Sequence, residues 1–102
     1  MSERQTWRAL RATEAETPAY RAAYDRARRA QELGAKVRAL REERGLSQAE
    51  LARRMGWKQS ALARLELGGA EPRLDTLDLV AAALDLDVVV EFRPHRLVDA
   101  PT

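Results

Sequence analysis

Gln59, Ser60, Ala63 and Arg64 stand close together in GWKQSALARLELG, residues 56–68. Their types suit one kind of chemistry. A glutamine amide can bond adenine, an arginine fork can take guanine with two bonds, and a bare alanine can meet a thymine methyl. On a helical wheel Ala61, Leu62 and Leu65 cluster on one side, and Gln59, Ser60, Ala63, Arg64 and Leu67 fall on the other. One side can therefore pack while the other reads base edges. Trp57 and Lys58 precede the stretch, where a small capping residue is expected. Lys58 cannot accept a backbone N–H bond as a hydroxyl would, a loss of about 1 kcal/mol, and its charge suits a phosphate contact instead. Trp57 either covers the core beneath the turn or carries its indole N–H to a DNA backbone.

Catalytic chemistry finds little footing. There is no cysteine, and the single histidine, His95, has no ordered carboxylate close by in the sequence. Asp75, Asp78, Asp85 and Asp87 form an acidic stripe, but a loop of the kind that wraps a calcium ion is absent. The stripe reads as solvated surface, as do Arg26, Arg28 and Arg29. No enzyme activity, metal or cofactor is expected. Without cysteine, disulfides and thiolate metal sites are excluded. No apolar run approaches the ~20 residues needed to span a membrane, and the charged start MSERQTWRALRATEAE is no secretory signal. These features predict a soluble cytoplasmic protein. Charge is segregated: residues 1–45 carry 11 Lys/Arg against 7 Asp/Glu, residues 46–69 carry 4 against 2, and residues 70–102 carry 3 against 7. The basic first two-thirds suits a polyanionic partner.

The elements that must position these residues can be read from caps and periodicity. With 102 residues, 45% apolar and 5% aromatic, the chain is one small domain with an appendage, its core mostly Leu, Ala and Val. Residues 1–16 are polar, with Trp7 and Leu10 the large apolar groups. Thr17-Pro18 predicts a helix start, a hydroxyl cap followed by proline at the first helical position. PAYRAAYDRARRAQEL then carries a weak stripe of Tyr20, Tyr24, Ala27 and Leu33, and Gly34 either interrupts or merely weakens the helix before it resumes to Gly45. Ser47-Gln48-Ala49-Glu50 is a capping box that starts a short helix, with Ala49, Leu51, Ala52 and Met55 expected inward and Gly56 as its stop. A second short helix spans about 59–67, and 68–72 is a loop. Leu74, Leu77, Val80, Ala81 and Leu84 mark an amphipathic helix. LDVVVEF predicts a strand ending before Pro94.

Two short helices joined by a glycine turn, with small Ala52 at their closest approach, describe a helix-turn-helix. In that motif the first helix crosses the DNA backbone and the second enters the major groove. Gln48, at the start of the first, is placed to bond a phosphate. From about Gly34 to Leu86 the chain, with RALREERGLSQAELARRMGWKQSALARLELG, resembles the lambda-repressor-like (Xre) helix-turn-helix of phage repressors. The resemblance implies an ion pair between Arg41 and Glu66 that orients the second helix. It also implies DNA contacts at Gln48, Gln59, Ser60 and Arg64, and a phosphate contact at Arg73. Lys58 and Trp57 depart from the family pattern, and the usual fifth helix is replaced by the expected strand.

The wider pattern, TPAYRAAYDRARR followed by this domain and a terminal LDVVVEFRP, resembles HigA-type antitoxins. The expected architecture is mostly α, a helix-turn-helix bundle with an N-terminal helical extension and a C-terminal β-strand. Residues 1–32 form the extension, 33–86 the domain, 87–93 the strand and 94–102 a tail. The resemblance implies a homodimer that binds double-stranded DNA at a palindromic operator and holds a RelE/HigB-like ribonuclease toxin inactive. Tyr20, Tyr24 and Ala27 either pack on the domain or dock in that partner. Val88, Val89, Val90 and Phe92 either pair with the same strand of a second copy or pack on their own domain. A repressor without a toxin, and a protein–protein module that no longer binds DNA, are the other readings.

Overall fold

The computed structural model describes residues 17–95. The described residues form four helices: α1 (Pro18–Glu43), α2 (Gln48–Met55), α3 (Gln59–Glu66) and α4 (Leu74–Leu84). The mostly helical expectation holds. Thr17 caps α1, its hydroxyl accepting the Tyr20 N–H at 3.1 Å. Ser47 and Glu50 close a reciprocal capping box on α2. Each helix also ends in the same way. The backbone N–H groups of Gly45 and Leu46, Gly56 and Trp57, Gly68 and Gly69, and Asp85 and Leu86 reach back to carbonyls of the last turn. That geometry needs a left-handed residue just past the helix. Glycine supplies it three times, and Asp85 supplies it at φ 58°.

Leu51 and Leu62 are wholly buried and form the centre of the core. Val37, Ala52, Met55, Leu65, Val80 and Leu84 pack round them, with Leu40, Leu46, Trp57, Ala83 and Leu86 partly covering the outside. Each fully buried leucine contributes about 2–3 kcal/mol of transfer energy. Helix α3 thus packs against both α1 and α2, and α4 closes the far side of α2. Arg44 Nε and Arg54 Nη1 donate to the last carbonyls of α4, at Leu84 (3.1 Å) and Ala83 (3.4 Å). These cations meet the negative end of that helix.

Three expectations change. First, Gly34 does not break α1, which runs unbroken for 26 residues across the expected 32/33 boundary. Gly34 is buried where a Cβ would meet the carbonyl oxygens of Leu65 at 2.3 Å and Glu66 at 2.7 Å. The missing side chain serves close approach, not a bend. Ala30 is the first buried residue along α1. Second, no strand forms at 87–93: the segment after Asp85 is irregular among the described residues. A β-branched run favours extended backbone, but a ladder needs a neighbouring strand, and the described fold has none. Leu86 and Val88 are half-buried beside α1 and α4, while Val89, Val90 and Phe92 are exposed, Phe92 to 96%. Third, Ala49 is exposed instead of buried. The expectations for residues 1–16, with Trp7 and Leu10, and for the tail past 95 lie outside the described residues.

Candidate nucleic-acid interface

Helix α3 is held from behind by a buried polar cluster. Arg41 from α1 meets Glu66 with two bonds, Nε to Oε2 at 2.8 Å and Nη2 to Oε1 at 3.0 Å. Arg41 Nη1 donates to the Leu46 carbonyl at 2.8 Å. Gln48 Nε2 donates to Glu66 Oε1 at 3.0 Å. Arg41 is only 9% exposed and Glu66 6%, yet no buried side-chain polar atom among the described residues lacks a partner. Burial pushes the Glu66 carboxyl up, but the hydrogen bonds from Arg41 and Gln48, with the charges of Arg41 and Arg38, hold it below its ordinary value. The bond to Glu66 raises Arg41 against the opposing effect of burial. Such a pair does more to fix geometry than to add net stability, because two desolvated charges nearly cancel their attraction. Here it ties three helices together at the end of α3.

Gln48 has a partner within the protein that its sequence position does not suggest. Its amide nitrogen faces inward to Glu66, and the bonded N–H is not available to a phosphate. The short loop before α2 brings its first residue within reach of the C-terminal turn of α3, a proximity that no local pattern reveals.

The opposite side of α3 is open. Gln59, Ser60 and Arg64 are exposed. The two flanking alanines exchange their expected places: Ala61 is exposed and Ala63 is half-buried. Both sit near the edge of the wheel, so a small tilt of the helix decides which faces out. Lys58 occupies the α3 cap position without a side-chain cap bond. Arg73 does the same on α4, also uncapped, and lies exposed 3.5 Å from Asp75. By contrast α1 and α2 begin with hydroxyl caps. Among the described helices, the two uncapped starts are the two that begin with a cation.

Trp57 packs half-buried against the core. It also lines a cavity of about 250 Å³ with Ala61, Arg64, Leu65, Pro72 and Arg73. This cavity gathers Trp57, Arg64 and Arg73, which lie far enough apart in sequence that the turn at 68–72 must fold back to join them. Arg64 is not a free arm there: its Nε donates to the Gly69 carbonyl at 3.2 Å. The sequence marks Gly68-Gly69 only as a loop and offers no sign of that bond.

On the arm, Tyr20, Tyr24 and Ala27 are exposed. The tyrosines border a shallow recess with Arg21, Asp25 and His95. Nothing from the described helical core covers their face. Among the described residues no helix is long and apolar enough to cross a membrane, and no group of three or more His, Cys, Asp or Glu could hold a metal ion.

Residues 37–90 match the family model HTH_3, Helix-turn-helix, more than half of the 102-residue chain. The chain is 44% identical over 64 residues to the uncharacterized HTH-type transcriptional regulator y4dL of Sinorhizobium fredii, which covers 63% of this chain and 32% of that protein. It is 33% identical over 85 residues to Antitoxin HigA1 of Mycobacterium tuberculosis, covering 83% of this chain and 57% of the relative. It is 39% identical over 56 residues to the immunity repressor protein of Bacillus phage phi105, covering 55% of this chain and 39% of the relative. The chain thus spans less than three fifths of the length of each of these curated relatives. No solved structure is matched.

Proposed function

Because this chain belongs to the helix-turn-helix family of DNA-binding transcriptional regulators, we propose that it is a sequence-specific antitoxin and autorepressor acting in the cytoplasm. It binds a palindromic operator in its own promoter as a dimer and neutralises a RelE/HigB-like ribonuclease toxin. One observation carries the DNA part. Gln59, Ser60 and Arg64 stand exposed on a helix whose other side is anchored by Leu62, Leu65 and the Arg41–Glu66–Gln48 cluster. A rigidly held helix with exposed polar groups near its N-terminus suits major-groove readout. Ala63, half-buried at the edge of that face, is placed to meet a thymine methyl. Lys58, Trp57 and Arg73 are the backbone-contacting set, and Gln48 has one remaining N–H for the same task.

The toxin part is supported by the uncovered face of Tyr20, Tyr24 and Ala27, together with the likeness to Antitoxin HigA1. A helical arm this exposed gains little by itself and is the natural surface to bury in a partner. Val88, Val89, Val90 and Phe92 offer the surface for the two-fold contact, which would set two copies of α3 about 34–36 Å apart on successive major grooves. A stand-alone repressor is the second reading. It is favoured by the basic balance of residues 1–32, 7 Lys/Arg against 5 Asp/Glu, where a segment that neutralises a basic toxin is better acidic.

The test uses the full-length chain in two arms. Its affinity for a duplex spanning its own promoter is compared with that for a random duplex. Its co-purification with the product of the adjacent reading frame is assayed, and growth rescue with it. Equal affinity for both duplexes at every salt concentration refutes base readout. Specific DNA binding without any captured or neutralised partner selects the stand-alone repressor.

A further inference from the structure

Residue 69 grips residue 64 twice. The Gly69 N–H donates to the Arg64 carbonyl at 2.9 Å, part of the turn that closes α3. The Gly69 carbonyl accepts the Nε–H of Arg64 at 3.2 Å. A Cβ at position 69 would lie 2.9 Å from Arg64 Cγ and 3.3 Å from its carbonyl oxygen. Gly69 itself is outside the left-handed region, unlike Gly68 beside it at φ 77°. The backbone at 69 therefore does not demand glycine. What a Cβ there would press on is Arg64, its side-chain Cγ most closely and its carbonyl oxygen next.

A guanidinium has two donor edges. With Nε occupied, the edge left free is the pair of Nη groups, which matches the two acceptors of guanine, O6 and N7. An arginine already held in one direction also loses less rotamer freedom on binding than a loose one. We propose that the Gly68-Gly69 turn is a positioning device for Arg64: Gly69 aims the free edge of the guanidinium at one base pair and so sets specificity there. This rests on the DNA-binding reading above. Gly69 touches no base; it acts through Arg64.

The experiment starts from a randomised-duplex selection with the full-length wild-type chain, which yields a preferred site. Wild type, Gly69→Ala, Arg64→Ala and the double variant are then titrated against that site, its single-base variants and random duplex at several salt concentrations. In Gly69→Ala, discrimination is expected to fall by about 5-fold or more at the same base pair that Arg64→Ala relaxes. Affinity for random duplex, the salt slope and the melting temperature stay at wild-type values. The double variant matches Arg64→Ala alone, because the two changes remove one interaction. In nitrogen–proton spectra of the free protein, the Arg64 Nε–H signal of wild type is protected from exchange and that of Gly69→Ala is not. Three results overturn the proposal. Gly69→Ala leaves the base pair read by Arg64 untouched; or it weakens every base pair equally while the melting temperature falls; or the two losses add. If wild type selects no site at all, the DNA reading fails and the proposal with it. If it selects a site that only Arg64→Ala disturbs, the DNA reading stands and the positioning role falls.

Discussion

Replacing Gly34 by alanine sets two effects of opposite sign against each other, and the fold decides which wins. In an unobstructed helix interior, alanine is better than glycine by roughly 0.5–1 kcal/mol, because the unfolded chain has less freedom to lose. Position 34 is not unobstructed. The new Cβ would stand 2.3 Å from the Leu65 oxygen, below the 3.0 Å floor that real Cβ contacts respect, so α1 and the end of α3 must part by about 0.7 Å. Both obstructing atoms are backbone and cannot swing aside. A gap of that size forfeits a quarter to a half of the dispersion energy of the contacts it opens, and overpacking of this kind costs roughly 1–3 kcal/mol. With rigid obstacles the upper end applies, and after the propensity gain the net loss is about 2 kcal/mol. Urea unfolding followed by helical circular dichroism measures it. With a slope near 1–2 kcal/mol per M for a small domain, the midpoint should drop by ~1–2 M at an unchanged slope. Exposed Ala35 provides the calibration, since Ala35→Gly reports the propensity term alone, a loss of up to ~1 kcal/mol. If Gly34→Ala instead raises the midpoint by the amount that Ala35→Gly lowers it, α1 does not approach α3 closely and the packing described above is refuted.

Acid should unfold the protein partly through Glu66 and Glu50. Both carboxyls lie below their ordinary value of 4.5 when folded, so their stabilisation is complete above that value and is lost as pH falls through the lower folded values. Glu66→Gln, which leaves Arg41 buried against a neutral group, should cost about 3 kcal/mol at neutral pH and flatten the acid limb in a pH series of denaturation midpoints. Asp85→Gly should stabilise by about 0.5–1 kcal/mol by relieving a left-handed aspartate at a helix end, visible as a raised melting temperature. Lys58→Ser should add about 1 kcal/mol by capping α3 while lowering the magnitude of the salt slope of DNA binding by about 1. A Lys58→Ser variant with unchanged salt dependence places Lys58 off the DNA backbone.

Sequence alone determined the features that close within a few residues. Thr17-Pro18, the Ser47–Glu50 box and the glycines at 45, 56 and 68 specify where helices start and stop, because each cap bond spans three to five positions. Leu62 and Leu65 likewise name the buried side of α3, and Val80, Ala81 and Leu84 that of α4, since periodicity is a property of one helix; Leu74, on the same expected stripe, lies exposed at the start of α4. The motifs around LSQAELARRMG carry the family resemblance for the same reason. Only the tertiary structure decided the rest. Gly34 reads locally as a weak point in a helix; it becomes a contact surface when Leu65 and Glu66, more than thirty positions on, lie against it. Gln48 reads as a helix-start donor for phosphate, yet its partner is Glu66. Whether Ala61 or Ala63 faces out depends on the tilt of α3, which α1 and α2 impose. The VVV run favours an extended chain but cannot supply the second strand that would make it a ladder. Arg64 is a cation in the sequence and an oriented donor in the fold, because the turn at Gly69 meets it in space. In each case the deciding quantity is a distance between segments, which local propensity does not contain.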